Sequence, residues 1–162
     1  MTGLCGAQQF NLESAGGRFG FYPFGAGSHF YQAEAFADWA LPWNWDLGSH
    51  WLLRSRFDSS LGWLGEADAN AAIGSLGPTL VFARENLPVT FEGGVSATGL
   101  SRSDFRDKNF GDLFQFTSHV GLNFDMAARF RLSYRFQHMS NAGLSSHNPG
   151  LNMHMFGMSY VF

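Results

Sequence analysis

Apolar residues recur at every second position in eight separate stretches of this chain, the spacing of strands with one apolar and one polar face. The clearest stretch is Leu113 to Phe124, where Phe114, Phe116, Val120, Leu122 and Phe124 oppose Gln115, Thr117, His119 and Asn123. Ala128 to Phe136 sets Phe130, Leu132, Tyr134 and Phe136 against Arg129, Arg131, Ser133 and Arg135, and the chain ends on Phe156, Met158, Tyr160 and Phe162 in the same rhythm. Upstream, strands are predicted over Gly16 to Phe24, His29 to Leu41, His50 to Phe57, Ala72 to Ala83 and Val89 to Thr98. The polar faces collect Glu34, Asp38, Arg54, Arg56, Glu92, Arg131 and Arg135. A soluble barrel turns its apolar side inward. Here continuous Phe, Leu, Trp and Val suit lipid, while balanced acids and arginines can pair inside a narrow lumen. The predicted fold is all-β: an eight-stranded antiparallel up-and-down transmembrane β-barrel with an apolar exterior and a polar, charged interior. The competing reading is a soluble carrier barrel with the faces exchanged.

Connection lengths favour the membrane. One end receives connections near residues 42–49, 85–88 and 125–127, and the other receives 25–28, 58–71, 99–112 and 141–149. Longer loops on one side and shorter turns on the other are the outer-membrane pattern. Trp39, Trp43, Trp45 and Trp51 gather near the first short turn, where an aromatic girdle belongs. The terminal Phe156-Gly-Met-Ser-Tyr-Val-Phe162 resembles the assembly signal of bacterial outer-membrane proteins. Residues 1–162 are read as one domain, with 1–15 an N-terminal periplasmic extension. The first residues lack the regions of a secretion signal, and the rest of the chain favours export with that signal absent from this sequence.

Composition narrows the function. Charged residues make up 14% of the chain, against about 25% in an ordinary soluble domain, so the surface is depleted of charge. There is no apolar run long enough for a membrane helix. Nine Arg and one Lys, interleaved with acids, form no basic tract, which argues against a nucleic-acid partner. Cys5 stands alone, which excludes an internal disulfide. His147 and His154 fit no firm ligand spacing, so neither metal nor other cofactor is expected. Glu34 and Glu92 could be read as paired glycosidase acids, but arginines on the same face favour an ion-pair network. Arg102, Arg106 and Lys108 share their loop with Asp104, Asp107 and Asp112, the mark of a solvated loop.

One polar stretch stands out against the grease. His138 and Ser140 continue the apolar phase of the seventh strand, and counting back along the eighth reaches His154 and Asn152 on the same side. Polar groups on such a face are costly unless they have a use. A Ser hydroxyl becomes a nucleophile when an imidazole can take its proton and a third group holds the imidazole tautomer. Residues two apart on a strand face the same way at about 6.5–7 Å, and Asn152 could reach His138 across the sheet. Developing oxyanion charge needs donors, for which the amides from Asn141 to Gly143 and the side chain of Asn148 are candidates. By itself His-x-Ser is a weak pattern, and a structural histidine competes with it.

The segment His138-x-Ser140-Asn141-Ala142-Gly143-Leu144, followed by Asn148 and Gly150, resembles the active-site segment of the lipid A 3-O-deacylase (PagL) family. Trp43-Asn-Trp45-Asp46, the region of Phe91-Glu92-x-Gly94-Val-Ser and the last strand are compatible with it over most of the chain. The resemblance implies an eight-stranded outer-membrane barrel with catalytic residues facing lipid. It implies metal-free hydrolysis of the 3-linked ester of lipid A, releasing a 3-hydroxy fatty acid. It also implies that Ser140 is the nucleophile, His138 the general base and Asn148 an oxyanion donor. The expected partner is the lipid A of lipopolysaccharide in the outer leaflet of the bacterial outer membrane; a homodimer is left open. One position departs: Asn152 stands where the family carries Glu. Its amide oxygen can orient an imidazole but brings no charge, so the expectation is weak or conditional activity, or recruitment of another group such as His154. The competing function is a non-catalytic outer-membrane barrel that binds or orders lipid.

Overall fold

The computed structural model describes residues 10–22, 29–126 and 129–162. Eight strands follow one another in order: β1 (Asn11–Phe21), β2 (Phe30–Gly48), β3 (Trp51–Glu66), β4 (Ala69–Arg84), β5 (Val89–Leu100), β6 (Phe114–Asp125), β7 (Phe130–Ser140) and β8 (Leu151–Val161). Each pairs antiparallel with its neighbours, and β8 returns to β1, closing the barrel and leaving no free edge. The alternation read from the sequence is the alternation of the wall. Phe19, Phe91, Val120, Leu122, Phe156 and Met158 point outward and are exposed, while Arg56, Glu92, Gln115 and Arg135 are buried in the lumen. Such a wall is at home in hydrocarbon.

Charges fill the middle of the lumen. Arg18 binds Glu34 (2.8 Å) and Asp58 (3.2 Å), and Arg135 joins Asp58 (2.7 Å) to Glu92 (2.8 Å). Arg56 pairs with Glu92 and lies 3.6 Å from Asp38, and Arg131 reaches Glu13 (3.1 Å). The pairing keeps buried charge tolerable. This is the ion-pair network expected for Glu34 and Glu92. The upper lumen is different. Phe30, Leu64, Ile73, Leu100, Met139, Leu151, Met153 and Met155 form an apolar cluster there, capped by Phe105 and Phe110 from the loop after β5. Both rings meet Phe30 edge-on, at 5.3 and 5.9 Å between centroids. The interior is therefore charged in the middle, as expected, with an apolar cluster added at the top.

Several boundaries differ from the sequence reading. β1 starts at Asn11, so Asn11–Ala15 are barrel wall rather than extension, and residues 1–9 lie outside those described. The expected turn at 42–49 is mostly strand, with only Ser49 and His50 between β2 and β3. The register shifts between Ala40 and Asn44, around Pro42, which has no N–H for the ladder. The expected loop 58–71 is instead the long ends of β3 and β4, joined by Ala67 and Asp68. Its Asp, Ser and Gly content imitates a loop, yet Asp58 and Glu66 point into the lumen while Leu61 and Trp63 face outward. The connection at 25–28 lies outside the described residues. The loops 101–113 and 141–150 are the long ones at the upper end, as expected there.

Candidate active site on the outer wall

β7 carries its alternation to the last residue. Met139 is inside the cluster, while His138 and Ser140 face outward, the first exposed and the second half-buried. The register pairs His138 with Asn152. Their side chains meet, His138 Nδ1 to Asn152 Oδ1 at 2.7 Å. With the amide oxygen accepting, Nδ1 carries the proton and Nε2 keeps the lone pair that a general base needs. His154 sits below the pair on β8, with a bond that runs elsewhere. Its Nδ1 is bonded to the Tyr134 hydroxyl (2.8 Å), and its ring packs edge-on against Phe136 (5.3 Å). Among the described residues Ser140 Oγ has no hydrogen-bond partner. It stands one strand step, about 6.7 Å, above His138 on the same face. Bonds of this kind are often loose without substrate.

The loop after Ser140 is built on Asn141, which is completely buried. Its Nδ2 donates to the carbonyls of His147 (2.7 Å) and Phe110 (2.9 Å), and its Oδ1 accepts from Gly143 N (2.9 Å). Its own N–H donates to Asn148 Oδ1 (3.1 Å), and its carbonyl accepts from Leu144 N (3.0 Å). Of the candidate oxyanion donors, the Asn141 and Gly143 amides are thus committed inside the loop. Among the described residues the Ala142 N–H and the Asn148 Nδ2 remain undirected toward any acceptor. Asn148 holds its orientation through the bond its oxygen accepts. Ala142 and Gly143 take left-handed φ of 54° and 82°, which turns the loop back over the strand end.

Two supports went unread in the sequence. Gly150, at φ 60°, lies flat beneath the His138 ring: a Cβ there would stand 2.9 Å from Cε1. Its carbonyl accepts from Lys108 Nζ (2.8 Å), whose ammonium also sits 5.0 Å from the centre of the Tyr22 ring. Partial burial pushes the Lys108 pKa down. Lys108 had been assigned to a solvated loop; it instead ties that loop to the strand end. Gly150 was legible only as a member of the motif, whereas the bond from Lys108 spans 42 residues and leaves no local signal. On the β6 side of His138 lies a shallow hollow of about 260 Å³, lined by Ser118, Val120 and Phe136 among others.

Comparison with known proteins points one way. The model of the family Lipid A 3-O-deacylase (PagL) matches residues 24–161. Lipid A deacylase PagL of Bordetella bronchiseptica is 29% identical, over 86% of this chain and 80% of its own length. The crystal structure of the outer membrane enzyme PagL superposes with a TM-score of 0.75 at 20% identity, covering 93% of this chain and 99% of the other.

Proposed function

The chain belongs to the lipid A 3-O-deacylase (PagL) family and is a barrel of the bacterial outer membrane, and from that premise we propose that it hydrolyses the 3-O-linked acyl ester of lipid A. Ser140 is the nucleophile and His138 the general base, with Asn152 orienting the imidazole. His138 Nε2 takes the Ser140 proton as Oγ adds to the ester carbonyl. The tetrahedral oxyanion receives hydrogen bonds from Ala142 N–H and Asn148 Nδ2. His138 then protonates the departing sugar oxygen, and water, activated by the same base, releases the fatty acid from Ser140. Asn141 and Gly143 serve by shaping the loop that aims these donors.

The observation that carries the reading is the 2.7 Å bond between His138 and Asn152 on a wall that otherwise faces hydrocarbon. It leaves a basic nitrogen one strand step from a serine at the upper end of the outer wall. The rival reading, a barrel that only orders lipid, makes no use of that bond. The deciding experiment is mass spectrometry of lipid A from cells expressing wild type, Ser140→Ala and His138→Ala. Loss of the 3-linked chain is expected for wild type alone. Unchanged lipid A in all three, with the barrel folded and present, refutes the proposal.

A further inference from the structure

Leu64 and Glu66 point the same way from the upper end of β3, into the top of the lumen. Leu64 joins the apolar cluster there, whereas Glu66 sets a carboxylate beside it, just 1% exposed. The backbone of Glu66 pairs with Phe30 on β2 and Ala69 on β4, so the wall fixes its position. Its Oε2 accepts a hydrogen bond from Asp107 N at 3.1 Å. Among the described residues Oε1 accepts none, and no cation closes a salt bridge on the group. Glu34, Asp58 and Glu92, deeper in the lumen, are each held by arginine. A buried carboxylate with so little to hold it is costly, and a glutamine could accept the same bond more cheaply.

What Glu66 holds leads to the catalytic wall. Ser103 to Phe110 form a small hairpin, closed by Phe110 N to Ser103 O and Phe105 N to Lys108 O, both 2.8 Å. Asp107 lies at its tip, and the next residue is Lys108. The Lys108 ammonium donates to Gly150 O at 2.8 Å. Partial burial works against its charge, and Glu66 is the acid that favours it. Gly150 in turn lies against the His138 ring, where a Cβ would come within 2.9 Å of Cε1. A hydrogen bond from a charged donor is about twice as strong as a neutral one. The acid at the top of β3 therefore bears on the imidazole of β7, through the hairpin tip, the Lys108 ammonium and Gly150.

We propose that Glu66 is a positioning residue for the reaction at Ser140: its charge holds the Lys108 ammonium on the Gly150 carbonyl, and so sets the plane of the His138 ring. The effect on turnover rests on the esterase reading above; the effect on the ring does not. Two measurements separate them. In the first, the His138 Cε1–H resonance of the labelled barrel in detergent micelles is recorded for wild type, Glu66→Gln, Lys108→Met and the double variant. Glutamine keeps the acceptor and removes the charge. Both single variants are expected to move the resonance the same way, and the double variant no further than Lys108→Met. In the second, kcat and KM for lipid A in detergent are measured on the same four proteins. Glu66→Gln is expected to lower kcat about fivefold with KM unchanged, roughly the difference between a charged and a neutral hydrogen bond. The double variant should again match Lys108→Met. The urea midpoint of Glu66→Gln should stay or rise, since a buried charge is removed. A fall in midpoint alongside kcat makes Glu66 structural and overturns the proposal. So does a multiplied loss in the double variant, or an unmoved resonance in Glu66→Gln. An equal loss in Asp68→Asn, which neutralises an exposed acid just past the end of β3, overturns it as well. Should Glu66→Gln fail to insert, Asp107→Pro removes the donor and leaves the lumen untouched; full kcat there sinks the idea. A shifted resonance with no fatty acid released by any of the proteins refutes the esterase reading and leaves Glu66 as the group that positions the ring.

Discussion

Replacing Asn152 by aspartate tests the polar pair most directly. The substitution is isosteric, so an oxygen stays about where Oδ1 now lies, 2.7 Å from His138 Nδ1. What changes is charge. In the neutral resting state the amide already fixes the tautomer, so ground-state geometry is nearly preserved. In the transition state the ring becomes imidazolium, and a carboxylate about 4 Å from its centre would stabilise it. Coulomb's law gives about 1 kcal/mol at the dielectric of water and about 4 kcal/mol at the effective value of a protein surface. His138 is exposed at the upper rim, so the gain should fall between these limits, a rise in kcat of roughly five- to a thousandfold. Serine triads set the ceiling, since losing the acid there costs about 10⁴. The assay is single-turnover release of fatty acid from lipid A in detergent, with Asn152→Leu as the opposite perturbation. Leucine removes the orienting oxygen and should be slower than wild type. Should the aspartate variant be no faster than wild type, or the leucine variant match it while both fold, Asn152 has no part in the reaction.

Gly150→Ala should lower kcat at least tenfold while the barrel still shows its heat-dependent gel shift, because the new Cβ meets His138 Cε1 at 2.9 Å in a left-handed backbone. Asn141→Leu removes the three hydrogen bonds of the side chain, and should abolish turnover by dissolving the 141–150 turn; proteolysis between Ala142 and Gly150 should appear in the variant alone. Asp58→Leu leaves Arg18 and Arg135 short of a carboxylate inside the lumen, and should cost about 3–5 kcal/mol in urea unfolding from lipid vesicles. Lys108→Met should reduce kcat several-fold with little change in KM, since it frees the Gly150 carbonyl without touching the substrate.

The wall was legible because lipid and lumen impose opposite demands on alternate residues, and in β5 and β6 only the inward Leu100 and the outward Ser118 depart from the alternation. The errors came where the lumen's own chemistry mimics a loop. Asp58, Ser59, Ser60 and Gly62 look like solvent-facing residues, yet Asp58 is held by two arginines and the strand runs on to Glu66. The outward Leu61 and Trp63 kept the phase and were the signal passed over. The site was half legible. His138, Ser140 and Asn152 share a face by simple counting, and β7–β8 register brings the first and last into contact. The commitment of the Asn141 and Gly143 amides could not be counted out, because it depends on how the loop folds upon the buried Asn141. Nor could the link from Lys108, or the Phe105–Phe110 lid, which gather residues from six strands around one loop.

That lid ties the chemistry to the completeness of the cylinder. Asn141 hangs from the carbonyl of Phe110, and Phe110 rests on side chains drawn from nearly the whole circumference. A precursor still threading into the membrane has the motif but not the scaffold that aims it. On the proposed mechanism, turnover therefore waits until the last strand has met the first.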